Sequence, residues 1–65
     1  MKLERYYRAL GVTGNEDAKA IKQAFMRVAQ KYHPDKNPND QTSTGKFIDA
    51  RNAYENIMKY RKGLS

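Results

Sequence analysis

Residues 16–35, EDAKAIKQAFMRVAQKYHPD, decide the fold of this chain. Within them Ile21, Ala24, Phe25, Val28, Ala29 and Tyr32 recur at the spacings of one helical face. The two interior alanines of that stripe permit close approach of a second helix. Lys19, Lys22, Gln23, Met26 and Gln30 lie opposite it, with Arg27 and Lys31 on one shoulder. Upstream, Asn15 suits an N-cap, and Glu16 and Asp17 would then meet the positive end of the helix dipole. The spacing predicts a helix from Glu16 to Tyr32 or His33. It must stop there, because Pro34 donates no backbone hydrogen bond and holds the residue before it extended.

Outward from the proline the chain turns polar. Asp35, Lys36, Asn37, Pro38, Asn39 and Asp40 are all turn-formers or charges. A further helix is expected to start between Asp40 and Ser43, with Asp40, Thr42 and Ser43 all able to cap it. Its stripe is Phe47, Ala50, Tyr54, Ile57 and Met58, with Ala53 at the edge and Ile48 outside. Gly45, in its first turns, costs about 1 kcal/mol relative to alanine. At the other end of the chain, Leu3, Tyr6, Tyr7 and Leu10 predict a short helix. Gly11 follows where a left-handed cap belongs.

Two long stripes joined by about eight loop residues satisfy each other as an antiparallel hairpin. The expected fold is all-α: that hairpin, a short packed N-terminal helix, and a fourth helix short or absent. Residues 1–65 read as one domain with a core at about 3–59 and a basic tail at 60–65.

Composition narrows the class. A chain of 65 residues buries only about 60% of its unfolded surface, so its core is modest. It has no cysteine, which excludes disulfide staples and fits a reducing compartment; a cytoplasmic location is the expectation. No apolar run approaches the ~20 residues of a membrane span, and the N-terminus lacks a signal-peptide core. Thirteen Lys and Arg against seven Asp and Glu give a net charge of +6. That balance favours an acidic partner, though a solvated lysine-rich surface would look the same.

The hairpin tip, His33-Pro34-Asp35, invites three chemical readings. A catalytic pair lacks a nucleophile, a third group and a cavity to exclude water. A metal site lacks ligand spacing, because the chain has a single histidine. A recognition loop, stiffened by proline and armed with one ring and one carboxylate, stands beside the plain alternative of helix stop and turn.

The surrounding motifs separate those two. Tyr32-His33-Pro34-Asp35-Lys36-Asn37-Pro38 resembles the signature loop of J-domains, the DnaJ-like co-chaperones. Tyr6-Tyr7-Arg8-Ala9-Leu10-Gly11-Val12 resembles the family's opening Tyr-Tyr-x-x-Leu-Gly-Val. Ile21 to Phe25 with Arg27 to Tyr32, and Lys46-Phe47 with Ala53-Tyr54-Glu55, resemble its second and third helices. The resemblance runs from about Tyr6 to Ile57. It implies docking on the ATPase of a seventy-kilodalton heat-shock chaperone and stimulation of ATP hydrolysis, coupled to client capture. The chain itself would be no enzyme and would need no cofactor.

Carried onto these positions, the resemblance makes His33, Pro34 and Asp35, with Asn37 beside them, the working loop. Lys19, Lys22, Arg27 and Lys31 become the basic docking face. Client protein would be reached only through domains this chain does not contain, and a monomer with no membrane insertion is expected. Three departures stand out: Met26 where the family often has a basic residue, Ile48 in place of a polar one, and no recognisable fourth-helix pattern after Met58. A helical nucleic-acid binder is the competing class. It is disfavoured because Asp35 and the acids at 16 and 17 interrupt the basic track, and no second basic helix suits a groove.

Overall fold

The computed structural model describes residues 3–64, with side chains through residue 62. Three helices follow in order: α1 Glu4–Leu10, α2 Ala18–Tyr32 and α3 Gln41–Leu64. No strand occurs among the described residues. The helices α2 and α3 pack as the two arms of a hairpin, and α1 rests chiefly on α3.

The end of α1 is closed as its glycine predicts. Gly11 takes φ 70° and ψ 29°, the left-handed conformation that costs glycine little. Its N–H donates to Arg8 O at 3.0 Å, and the Val12 N–H donates to Tyr7 O at 2.9 Å. The pair forms a Schellman motif, which satisfies carbonyls the helix leaves open. Tyr6 and Tyr7 divide the burial between them, and both are half-buried against the core.

The start of α2 differs from the expectation. Asp17, not Asn15, caps it: Asp17 Oδ1 accepts from the Ala20 N–H at 2.8 Å, and no acid lies in the first turn. The reason is the neighbouring carboxylate. Glu16 turns backward and accepts from the Thr13 N–H at 3.0 Å and the Gly14 N–H at 2.9 Å. Those bonds hold Glu16 below its ordinary pKa of 4.5, the Thr13 amide contributing most. They also hold residues 13–16 out of the helix, which therefore begins two residues late.

Capping of α3 is decided among the three candidates by the same chemistry. Asp40 Oδ1 accepts from the N–H groups of Thr42 and Ser43 at 3.0 and 3.2 Å. The Ser43 hydroxyl donates to Asp40 Oδ2 at 2.9 Å, so this buried hydroxyl is satisfied. Ser43, through its amide and its hydroxyl, is the main reason Asp40 sits below its ordinary pKa of 3.8.

The core is small and rich in alanine. Leu10, Ile21, Ala24, Ala50, Ala53 and Ile57 form it, and Ile21 and Ile57 are its largest fully enclosed side chains. Burying each isoleucine is worth about 1.5–3 kcal/mol, large against the ~3–10 kcal/mol typical of a whole chain this size. Phe25 stacks on Tyr54 across the hairpin, with ring centroids 4.7 Å apart and planes 15° apart.

One further expectation is corrected here. Ala53 is not at the edge of its stripe but at its centre, fully buried. The reason is that α3 supports α1 as well as α2, so its apolar face is wider than one partner requires. The α3 helix continues through Leu64, so residues 60–64 of the basic tail are helical. Arg61 Nη2 donates to Gly14 O at 3.3 Å, tying the far end of α3 to the α1–α2 turn. No separate fourth helix occurs among the described residues, and none of the helices is long and apolar enough to cross a membrane.

Candidate functional site

The loop between α2 and α3, residues 33–40, is built to hold its shape. His33 lies just past α2 with φ −60° and ψ 135°, the extended geometry that the following proline demands. Its carbonyl accepts from the N–H groups of Lys36 and Asn37 at 3.0 and 3.1 Å. The Asn37 side chain works in the same direction. Its Nδ2 donates to Lys31 O and His33 O, both at 3.1 Å, and so covers carbonyls at the open end of α2. Asn39 takes φ 66°, a left-handed turn that asparagine tolerates.

Within this frame His33 and Asp35 behave differently. The imidazole and the Phe47 ring of α3 form a T-shaped pair, with centroids 5.3 Å apart and planes at 68°. His33 Nδ1 accepts from the Asp35 N–H at 3.1 Å, so in the neutral ring the proton sits on Nε2. The Asp35 carboxylate lies 3.7 Å from the same Nδ1, a contact that becomes an ion pair only on a protonated ring. The Asp35 side chain is 92% exposed against 44% for His33. Histidine is thus a strut, and aspartate is the group held out to solvent.

Lys19, Lys22, Arg27 and Lys31 are all exposed on α2. They do not gather into one patch. At about 100° per residue, Lys22 and Lys31 stand half a turn apart around the helix. Arg27 and Lys31, one turn apart, instead face the side on which α1 ends. Lys31 Nζ sits 5.4 Å from the centre of the Tyr32 ring, and Lys46 Nζ from α3 sits 5.0 Å from it. Partial burial pushes the Tyr32 phenol up, but the two lysines outweigh it and leave the group below its ordinary value of 10.0. Met26 and Ile48 are exposed, at 47% and 41%.

Sequence reasoning missed two contributors, Phe47 as the support of His33 and Lys46 as a cation beside the loop. Both come from α3, and spacing along one helix carries no sign of which residue will meet a loop from another. Their position at the start of the third helical stripe, directly after the loop, was the available signal.

Comparison with known proteins agrees with this geometry. The DnaJ domain family matches residues 5–62. The chaperone protein DnaJ 2 of Synechocystis sp. is 46% identical over 54 residues, covering 83% of this chain and 18% of that protein. The chaperone protein DnaJ of Brucella canis is 45% identical over 62 residues, covering 95% of this chain and 16% of its own length. The chain therefore spans less than a fifth of either relative. No solved structure matches it. With the three-helix hairpin, the His33-Pro34-Asp35 loop and a family match over nearly its whole length, the chain belongs to the DnaJ-domain family.

Proposed function

We propose that this domain is the stimulating module of a co-chaperone. It docks on the ATPase of a seventy-kilodalton heat-shock chaperone through the exposed cations of α2, with Lys19 and Lys22 toward one side of the helix and Arg27 and Lys31 toward the other. Its His33-Pro34-Asp35 loop then accelerates ATP hydrolysis on that partner, which couples hydrolysis to client capture. The observation that carries the proposal is the division of labour in the loop. Asp35 is almost wholly exposed, while the side chains of His33 and Asn37 in the same loop are packed or bonded.

The bonds broken are the partner's, and the domain contributes binding energy alone. A loop accelerates hydrolysis only by binding the hydrolysis-competent state more tightly than the resting one. A hundredfold stimulation requires a preference of about 2.7 kcal/mol. One charge-assisted hydrogen bond donated by a cation of the partner to a fixed carboxylate supplies about that much, ~1.5–3 kcal/mol. Pro34 and Asn37 reduce the ordering cost of that bond by holding the backbone before contact. The basic residues of α2 act earlier, steering encounter with an acidic surface.

The decisive experiment is single-turnover ATP hydrolysis by the partner, with wild type and His33→Gln side by side. The substitution removes the ring that rests on Phe47 and re-aims Asp35, so stimulation is expected to vanish while helical circular dichroism and melting barely change. Equal stimulation by the variant would remove the loop from the mechanism. Lys22→Ala should weaken docking, and added salt should weaken the wild type.

A further inference from the structure

A groove of about 530 Å³ opens where the end of α1 meets the loop-proximal ends of α2 and α3. Four cations from three helices line it: Arg8, Arg27, Lys31 and Lys46. Among the described residues none of the four forms an ion pair with an acid of the chain. Their floor is apolar, made by Ala9, Leu10 and Val28, with the Tyr32 ring between the two lysines. One acid, Asp49, stands on the wall.

We infer that this groove is a second binding site, and that it takes a short acidic peptide segment of a partner protein carrying an apolar anchor side chain. Gathering four unpaired like charges around an apolar hollow is unfavourable in the free domain, and an anionic occupant relieves it. The floor specifies more than charge, since Ala9 and Val28 offer contact to an aliphatic side chain and nothing to a phosphate. The volume lies within the range of ligand pockets. Asp49 decides between classes of polyanion: its carboxylate can accept a peptide N–H but can only repel a phosphodiester, which has no donor. Arg8, Lys46 and Asp49 lie outside the α2 face and the loop, so the site extends beyond the stimulating surface, although Arg27 and Lys31 are common to both.

The test uses the 65-residue chain and a labelled peptide, acetyl-Glu-Asp-Leu-Glu-Asp-amide, at low ionic strength. Fluorescence anisotropy gives the affinity, and amide shifts in heteronuclear NMR locate the site. Shifts centred on Leu10, Gly11, Val28 and Asp49 are expected. The double variant Arg8→Gln with Lys46→Gln should bind about tenfold more weakly, and replacing the peptide's leucine by glycine should also weaken binding. Both substituted residues are exposed, and circular dichroism checks that the variant stays folded. His33→Gln, which abolishes stimulation under the proposed function, should bind the peptide as wild type does, so the two ideas fail separately. Shifts confined to the outer face of α2, or an affinity indifferent to the double variant, would overturn the site. So would equal binding of the glycine peptide, or displacement by duplex DNA or inorganic phosphate at matched charge.

Discussion

The two connections of this domain use the same chemistry for opposite ends. In the α1–α2 turn, Glu16 closes residues 13–16 on themselves, Tyr7 packs against Gly14, and Arg61 donates to the Gly14 carbonyl. The Glu16 carboxylate and the Arg61 guanidinium are both spent on the turn's own backbone. In the α2–α3 loop, Asn37 and Asp40 close the backbone just as firmly, yet Asp35 is left projecting. The first connection is a clasp and the second a mount. A rigid loop is therefore no sign of function in itself; what distinguishes the mount is a charged side chain that its own bonds do not consume.

The largest stability change should come from breaking the clasp. Gly14 has φ +101°, and a Cβ there would lie 3.0 Å from two carbons of the Tyr7 ring. Gly14→Ala is therefore expected to cost about 1–3 kcal/mol from backbone strain, before the ring shifts. Thermal melting measures the loss. Where the variant is still folded, the partner ATPase should be stimulated normally; a selective loss of stimulation would mean that the clasp is part of the working surface.

Phe47→Ala makes the converse test. It removes the aromatic support of His33, worth about 0.5–1.5 kcal/mol beyond area burial, from the mount alone. Stimulation should fall about fivefold, roughly what 1 kcal/mol of misplaced contact gives, with a smaller change in melting than Gly14→Ala. Unchanged stimulation would make the ring contact a mere packing detail.

The smallest effect is shared by both regions and appears in acid. Glu16 and Asp40 are held below their ordinary values of 4.5 and 3.8 by the amides they accept from. A depressed carboxylate contributes stability that is fully present above its unfolded pKa and lost as the pH falls through the folded one. Stability should thus be flat near neutrality and decline below about pH 4–5. Glu16→Gln and Asp40→Asn should each lower melting at pH 7 and flatten that acid limb. A limb unchanged in both variants would mean that other acids cause it.

The helices, their order and the hairpin were legible because each rests on local spacing. Residues from Ile21 to Tyr32 name a buried face without help from the rest of the chain, and Pro34 ends that helix wherever it sits. Gly11 and its cap were readable for the same reason. The His33-Pro34-Asp35 loop was legible as a motif but not as a mechanism, since its letters do not say which of the three faces outward.

That division, a histidine strut on Phe47 beside an exposed Asp35, was decided only by the packing of α3 against the loop. Glu16 turned back onto Thr13 and Gly14 through bonds that reach only two and three residues, so that Asp17 became the cap; the rest was the work of tertiary contact. It carried α3 through Leu64 with Arg61 docked on Gly14, and it moved Ala53 from an edge to the centre of the core. The periodic pattern follows from backbone geometry, which every residue shares with its near neighbours. The tertiary outcomes depend on which groups from distant parts of the chain compete for one hydrogen bond or one surface, and that competition is settled only when the helices meet.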